Sequence, residues 1–342
     1  MRIGLVYDLR DDYRALGLSE EECAEFDSAE TIAELAGALR RQGAEVVGVG
    51  HGRALAAALV AGTRYDLVLS IAEGVKGRSR EAQVPALCEL FDQPYAFSDP
   101  LTLAATLDKA VAKRLVRDAG VPTAPFAVLA RPEEARAVDL GWPVFVKPIA
   151  EGTGKGCENA SRCEDAGALE RVARDLIARF DQPALVEPFL PGREFTVGIL
   201  GTGETARVIG TIEVLLGTKA DAVGYTYANK ADWEDRVRYV AADDATAREA
   251  AAVALAAHRA LDCRDVSRCD LRCDARGRPV FLETNPLPGL KPDYSDLPIL
   301  AKLSGIAYDD LIGELLEAAV ARLGIGGKRQ DKRQDERRRH RA

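Results

Sequence analysis

Arg268-Cys269-Asp270-Leu271-Arg272, the turn Asp274-Ala275-Arg276-Gly277 and the returning run Val280-Phe281-Leu282-Glu283-Thr284-Asn285 read as a β-hairpin. Side chains alternate along a strand, so Arg268 and Asp270 share a face with Arg272, and Glu283 shares one with Asn285. If the two polar faces coincide, Asp270, Glu283 and Asn285 form an all-oxygen cluster beside a guanidinium. Oxygen ligands without His or Cys suit Mg²⁺, which also takes phosphate oxygens. The competing reading is a solvated strand face with a surface ion pair. The stiff run Asn285-Pro286-Leu287-Pro288-Gly289 favours the metal, because it fixes the last two ligands.

Two further stretches fit a nucleotide. Glu151-Gly152-Thr153-Gly154-Lys155-Gly156 follows a strand ending in Lys147. Its glycines let backbone N–H groups turn onto phosphate oxygens, with Thr153 and Lys155 as added donors. GxxxxGK[ST] is absent, so this is not a P-loop, and a plain hairpin turn remains the alternative. In Glu187-Pro188-Phe189-Leu190-Pro191-Gly192-Arg193-Glu194, one strand ends and another begins in a carboxylate, with an apolar linker between. That arrangement suits a purine, with Glu187 accepting from an exocyclic amine and Glu194 from ribose hydroxyls. An ordinary strand–turn–strand is the other possibility.

Outward from these stretches, the first hundred residues alternate strand and helix. Strands are expected at Ile3–Tyr7, Glu45–Val49 and Asp66–Ser70, with helices at Ser28–Arg41, Arg53–Ala61 and Glu81–Phe91. This pattern implies a parallel sheet covered by helices, an α/β unit. No GxGxxG follows the first strand, which weighs against a dinucleotide-binding oxidoreductase. From about Asp99 the pattern shifts towards α+β: helices at Asp108–Ala119, Asp165–Phe180 and Ala245–Leu261, and a run of strands from Ala184. The expected division is 1–98, 99–183, 184–326 and a charged tail, 327–342.

Composition bounds the rest. The chain has 342 residues and a formal net charge of -8. Its last fifteen residues hold eight Lys or Arg against three Asp or Glu, so the body is more acidic still, which argues against a nucleic-acid-binding core. Seven cysteines without CxxC spacing read as reduced thiols, and three histidines leave little for a His-rich metal site. No run reaches the roughly 18–20 apolar residues of a membrane span. The N-terminal strand does not read as a signal peptide, so a cytoplasmic location is expected. The tail has no apolar face and reads as disordered. Truncation after Gly327 is therefore expected to leave activity and melting temperature nearly unchanged; a large loss of either would show that the tail docks.

Taken together, these segments resemble the D-alanine–D-alanine ligase family of the ATP-grasp superfamily. The resemblance runs from the first strand to about Leu323. It rests on Phe145-Val146-Lys147-Pro148 with the Gly-rich loop, on Glu187 through Val197, and on Arg268-x-Asp270 with Glu283-x-Asn285-x-x-Pro288-Gly289. It implies an ATP-grasp fold, ATP and Mg²⁺ (or Mn²⁺) as cofactors, and small amino-acid substrates; a homodimer is left open. By the same resemblance, Lys109 and Lys147 contact the nucleotide phosphates, and the loop Glu151, Gly152, Thr153, Gly154 and Gly156 closes over them. Glu187 and the Leu190 backbone hold adenine, and Glu194 holds ribose. Lys230 matches the lysine of a mobile loop. Asp270, Glu283 and Asn285 match the metal ligands, Arg268 the residue that steadies the tetrahedral intermediate, and Gly289 and Ser295 the binding place of the second substrate's carboxylate.

The chain also departs from the family. Tyr7-Asp8-Leu9-Arg10-Asp11-Asp12 stands where the family has G-G-x-S-x-E, and Glu73-Gly74-Val75-Lys76-Gly77-Arg78-Ser79-Arg80 where it has H-G-x-x-G-E-D-G. Both stretches help bind the first substrate. Glu73 and Arg78 are thus candidate substrate residues, and the Lys76, Arg78, Arg80 cluster either suits a more acidic first substrate, with Asp8, Asp11 or Asp12 taking its ammonium, or is a solvated loop. The expected activity is an ATP-dependent carboxylate–amine ligase acting through an acyl phosphate. A ligase of the same mechanism with other substrates, and a non-catalytic nucleotide-binding protein, are the rival readings.

Overall fold

The computed structural model describes residues 1–325 apart from 222, 225, 227 and 230–232. Lys230 and the charged tail lie outside the described residues.

Three sheets organise the chain. β1 (Arg2–Val6), β2 (Glu45–Gly50) and β3 (Leu67–Ser70) form a parallel sheet in the order β2-β1-β3. β4 (Ala127–Leu129), β5 (Val144–Pro148), β6 (Arg162–Cys163) and β7 (Ala184–Pro188) form an antiparallel sheet in the order β4-β7-β5-β6. β8 (Glu194–Leu200), β9 (Arg207–Leu216), β10 (Val237–Ala241), β11 (Val266–Cys273) and β12 (Pro279–Asn285) form an antiparallel sheet in the order β10-β9-β8-β11-β12. β7 pairs with both β4 and β5, so Ala184–Pro188 belongs to the central sheet.

Periodicity and caps account for the helices. In Ala29–Arg41 the buried residues include Leu35, Ala38 and Leu39, and the Ser28 hydroxyl accepts from the Thr31 N–H at 3.2 Å. Three α-helices among the described residues escape the sequence reading, one of them the four-residue Trp233–Arg236. Pro100–Leu107 carries clear start signals, Asp99 accepting from the Thr102 N–H at 2.8 Å and proline in its first turn. Arg10–Ala15 is a single exposed segment with no buried residue.

Two features place the site. The first unit is fixed to the last one: Leu35 and Leu39 share a core with Leu311, Leu315 and β-sheet residue Ile212, and Arg41 pairs with Asp309 at 2.6 Å. Asp108 caps helix Lys109–Asp118 by accepting from the Val111 N–H at 3.0 Å. Lys109 therefore opens that helix, and Lys113, one turn on, lies on the same face.

Candidate active site

The hairpin register answers the question raised by the sequence. Asp270 lies opposite Glu283, and Arg268 opposite Asn285, so the polar faces coincide. A bulge follows at Asp270/Leu271 and brings Leu271 opposite Phe281. Thr196 on β8 donates its hydroxyl to Asp270 Oδ1 at 2.8 Å, and Lys109 Nζ stands 3.4 Å from Glu283 Oε2. The Asn285 Oδ1 accepts from the Leu287 N–H at 3.0 Å, which ties the amide to the proline-bounded turn.

A cleft opens between the central and C-terminal sheets. Lys147 and Glu187 of the central sheet line it, as do Asp270 and Glu283 of the hairpin, with Leu190 and Glu194. Lys109, Glu151 and Gly154 also border it. Glu187 is buried between two lysines: Lys113 Nζ at 2.6 Å from Oε1 and Lys147 Nζ at 3.1 Å from Oε2. Burial pushes the Glu187 carboxyl up, but Lys113 and Lys147 outweigh it and hold it below the usual range. Burial likewise opposes the charge on Lys147, and Glu187 and Glu283 outweigh it, so its pKa lies above the ordinary lysine value. Arg272 reaches Glu194 at 3.7 Å and lies 5.1 Å from the centre of the Phe189 ring.

Backbone chemistry shapes the loop. Lys109 Nζ donates to the Glu151 carbonyl at 2.5 Å, and Gln182 accepts from the Ala150 N–H and donates to Glu151, both at 2.7 Å. Gly156 has φ +70°, and a Cβ there would meet Pro148 Cγ at 2.6 Å and Phe180 Cε2 at 2.8 Å. Gly156→Ala is expected to cost about 1–3 kcal/mol and to raise KM for ATP as the loop shifts. Thermal melting and initial rates check this; unchanged values for both would mean the loop tolerates a side chain.

Asp270, Glu283 and Asn285 form an all-oxygen donor set. Among the described residues there is no group of three or more His, Cys, Asp or Glu able to hold a metal by itself. Asp270 and Glu283 border the cleft, and Asn285 stands two residues on from Glu283 along β12. Two carboxylates and an amide are a donor set that fits Mg²⁺, which keeps several waters and takes phosphate oxygens to complete its shell.

With this geometry in place, the comparisons with known proteins decide the family. A family model described as "D-ala D-ala ligase C-terminus" matches residues 115–317, more than half the chain. The chain belongs to the D-alanine–D-alanine ligase family. The "D-alanine--D-alanine ligase" of Bordetella petrii is 34% identical over 275 residues, covering 79% of this chain and 80% of that protein. "Uncharacterized protein y4sG" of Sinorhizobium fredii is also 34% identical, over 75% of each chain. The crystal structure of a Bacillus anthracis D-alanine–D-alanine ligase complexed with ATP superposes with a TM-score of 0.70 at 21% identity, covering 94% of this chain and 98% of that one. At that identity the likeness is one of fold, and it places the chain among ATP-grasp structures.

Arg268, Gly289 and Ser295 do not border the cleft itself. Arg268 pairs with Asp270 at 3.4 Å and with Asp296, and Asp296 in turn accepts from the Tyr239 hydroxyl at 3.1 Å. Ser295 precedes helix Asp296–Leu303 and accepts from the Lys291 N–H at 3.1 Å; its hydroxyl would lie 2.8 Å from a Cβ on Gly289.

The basic cluster expected at 76–80 does not gather. Arg78 is largely exposed and pairs with Asp108 at 2.7 Å, while Arg80 is buried against Glu25 at 2.9 Å. Lys76 is exposed. Nor are Asp11 and Asp12 placed to meet an ammonium, since both are exposed on Arg10–Ala15. Asp8 is buried but engaged, accepting from Tyr13 Oη at 2.7 Å and the Gly74 N–H at 2.9 Å. The residues missed by sequence reading are Lys113, Asp296 and Glu25. Lys113 had a signal, four residues after Lys109 on a helix. Glu25 had none, because its partners Gly152 and Lys155 are more than a hundred residues away.

Proposed function

We propose that this chain is an ATP-dependent ligase that joins the carboxylate of one amino acid to the amine of another. The observation that carries this reading is the β11–β12 register, which sets Asp270 and Glu283 side by side facing Lys109 and Lys147 across one cleft. Lys109, Lys147 and Lys155 bind the triphosphate, and the Gly-rich loop closes over it. Glu187 and Leu190 hold the base and Glu194 the ribose. Asp270, Glu283 and Asn285 would hold Mg²⁺, which when bound would draw charge from the transferring phosphoryl group.

A carboxylate is a poor acyl donor at neutral pH. In the first step a carboxylate oxygen attacks the γ-phosphorus, the bond to the β-phosphate oxygen breaks and ADP leaves. The second substrate's amine then attacks the acyl carbon, and phosphate leaves with the electron pair of the broken C–O bond. Arg268, aimed by Asp296 and Asp270, faces the oxyanion of that second step. Positioning and fixed charge do most of the work.

ADP release across D- and L-amino acids, singly and in pairs, tests the reading. Amino-acid-dependent ADP release accompanied by dipeptide supports it. ATP binding without either would leave a nucleotide-binding protein and overturn it.

A further inference from the structure

Beside the inner end of the Gly-rich loop, acids outnumber bases. Glu25 accepts from the Gly152 N–H at 2.7 Å, from Arg80 at 2.9 Å and from Lys155 at 3.1 Å. Lys155 also pairs with Glu151, and Arg80 donates to the Ala150 carbonyl at 3.0 Å. The two buried cations are thus matched by Glu25 and Glu151. Glu73 and Glu81 are left over. Among the described residues neither side chain makes a hydrogen bond or ion pair; Glu81 is only 9% exposed, and Glu73 is half-buried.

Their position points to a ligand. Glu73 follows β3 and Glu81 lies on the short turn of helix Arg80–Ala82, both beyond the carboxyl end of the parallel sheet, where α/β sheets bind ligands. Glu81 is near enough to feel Lys109 and Glu151, which border the nucleotide cleft. Burial pushes the Glu81 carboxyl up to about 7 although Arg80 opposes it, and burial with Glu81 and Glu25 pushes Glu73 well above the ordinary value. A buried carboxylate in such a place either keeps a proton or receives a cation.

Resting on the ligase reading, we propose that the first substrate is an α-amino acid with a second cationic group on its side chain, its two cations received by Glu73 and Glu81. A neutral side chain would leave one of the two carboxyls to keep a proton in place of a cation. An acidic one would add a like charge to a site whose arginine and lysine are already matched, which reverses the expectation drawn from Lys76, Arg78 and Arg80.

Hydroxylamine isolates the first substrate, since it attacks the acyl phosphate in place of the second amine, phosphate leaves, and a hydroxamate accumulates. Hydroxamate formation with ATP and Mg²⁺ is measured for both enantiomers of 2,4-diaminobutyrate, ornithine, lysine and arginine. Alanine, norvaline, norleucine, aspartate and glutamate serve as neutral and acidic counterparts. The expected result is a kcat/KM at least about tenfold higher for a basic amino acid than for its neutral isostere, the scale of one buried charge-assisted contact. Glu81→Gln and Glu73→Gln should each shrink that ratio. A neutral or acidic amino acid as best substrate would overturn the proposal and leave the ligase standing. So would an unchanged ratio in either folded variant. No hydroxamate from any amino acid would remove the ligase reading and the proposal together. The wild-type panel decides the matter even if a variant does not fold.

Discussion

Asp270→Asn or Glu283→Gln is expected to lower ADP release by at least about 100-fold while the melting temperature stays within a few degrees of the wild type. The two carboxylates are set opposite each other by the β11–β12 register. The Asp270→Asn amide oxygen can still accept from the Thr196 hydroxyl, and Glu283 is partly exposed, so the hairpin loses little support. What each variant loses is negative charge towards a hard divalent cation. The Mg²⁺ concentration giving half-maximal rate should therefore rise as turnover falls. Near-normal ADP release at ordinary Mg²⁺ from either folded variant would remove the metal assignment.

Lys147→Ala should weaken ATP binding by about 10- to 100-fold, because a charge-assisted contact to phosphate contributes about 1.5–3 kcal/mol. Glu187 and Glu283 keep this buried lysine charged, so it is a cation whenever nucleotide arrives. The fold should survive the change, since Glu187 retains Lys113 at 2.6 Å. Nucleotide titration checks this. Unchanged affinity would mean that Lys147 only neutralises Glu187.

Elements with a regular period were legible before any coordinates. The alternation in β11 and β12 gave the face shared by Arg268 and Asp270 and that shared by Glu283 and Asn285, the βαβ rhythm of the first seventy residues gave a parallel sheet, and the strand register added that the two hairpin faces coincide. What local sequence cannot supply is the long-range partner. Lys76, Arg78 and Arg80 look like a basic patch because they are close along the chain. In three dimensions Arg78 meets Asp108 and Arg80 meets Glu25, and the unmatched charge nearby is acidic. Glu25 could not be recognised for the same reason: it stands in a turn with no periodicity and acts only through Gly152, Lys155 and Arg80. Asp296 was hidden next to Ser295, which the family resemblance had already assigned. The helix Pro100–Leu107 differs, since its start signal, Asp99-Pro100, is present in the local sequence.

The central claim is that the carboxylate is activated by direct phosphorylation. Its most direct test uses a first substrate labelled with ¹⁸O in the carboxylate, ATP and an acceptor amine, with mass analysis of the released phosphate. Attack of the carboxylate on the γ-phosphorus, followed by attack of the amine on the acyl carbon, transfers one labelled oxygen to each phosphate that appears with ADP. Phosphate free of label, or release of AMP and pyrophosphate, would contradict it.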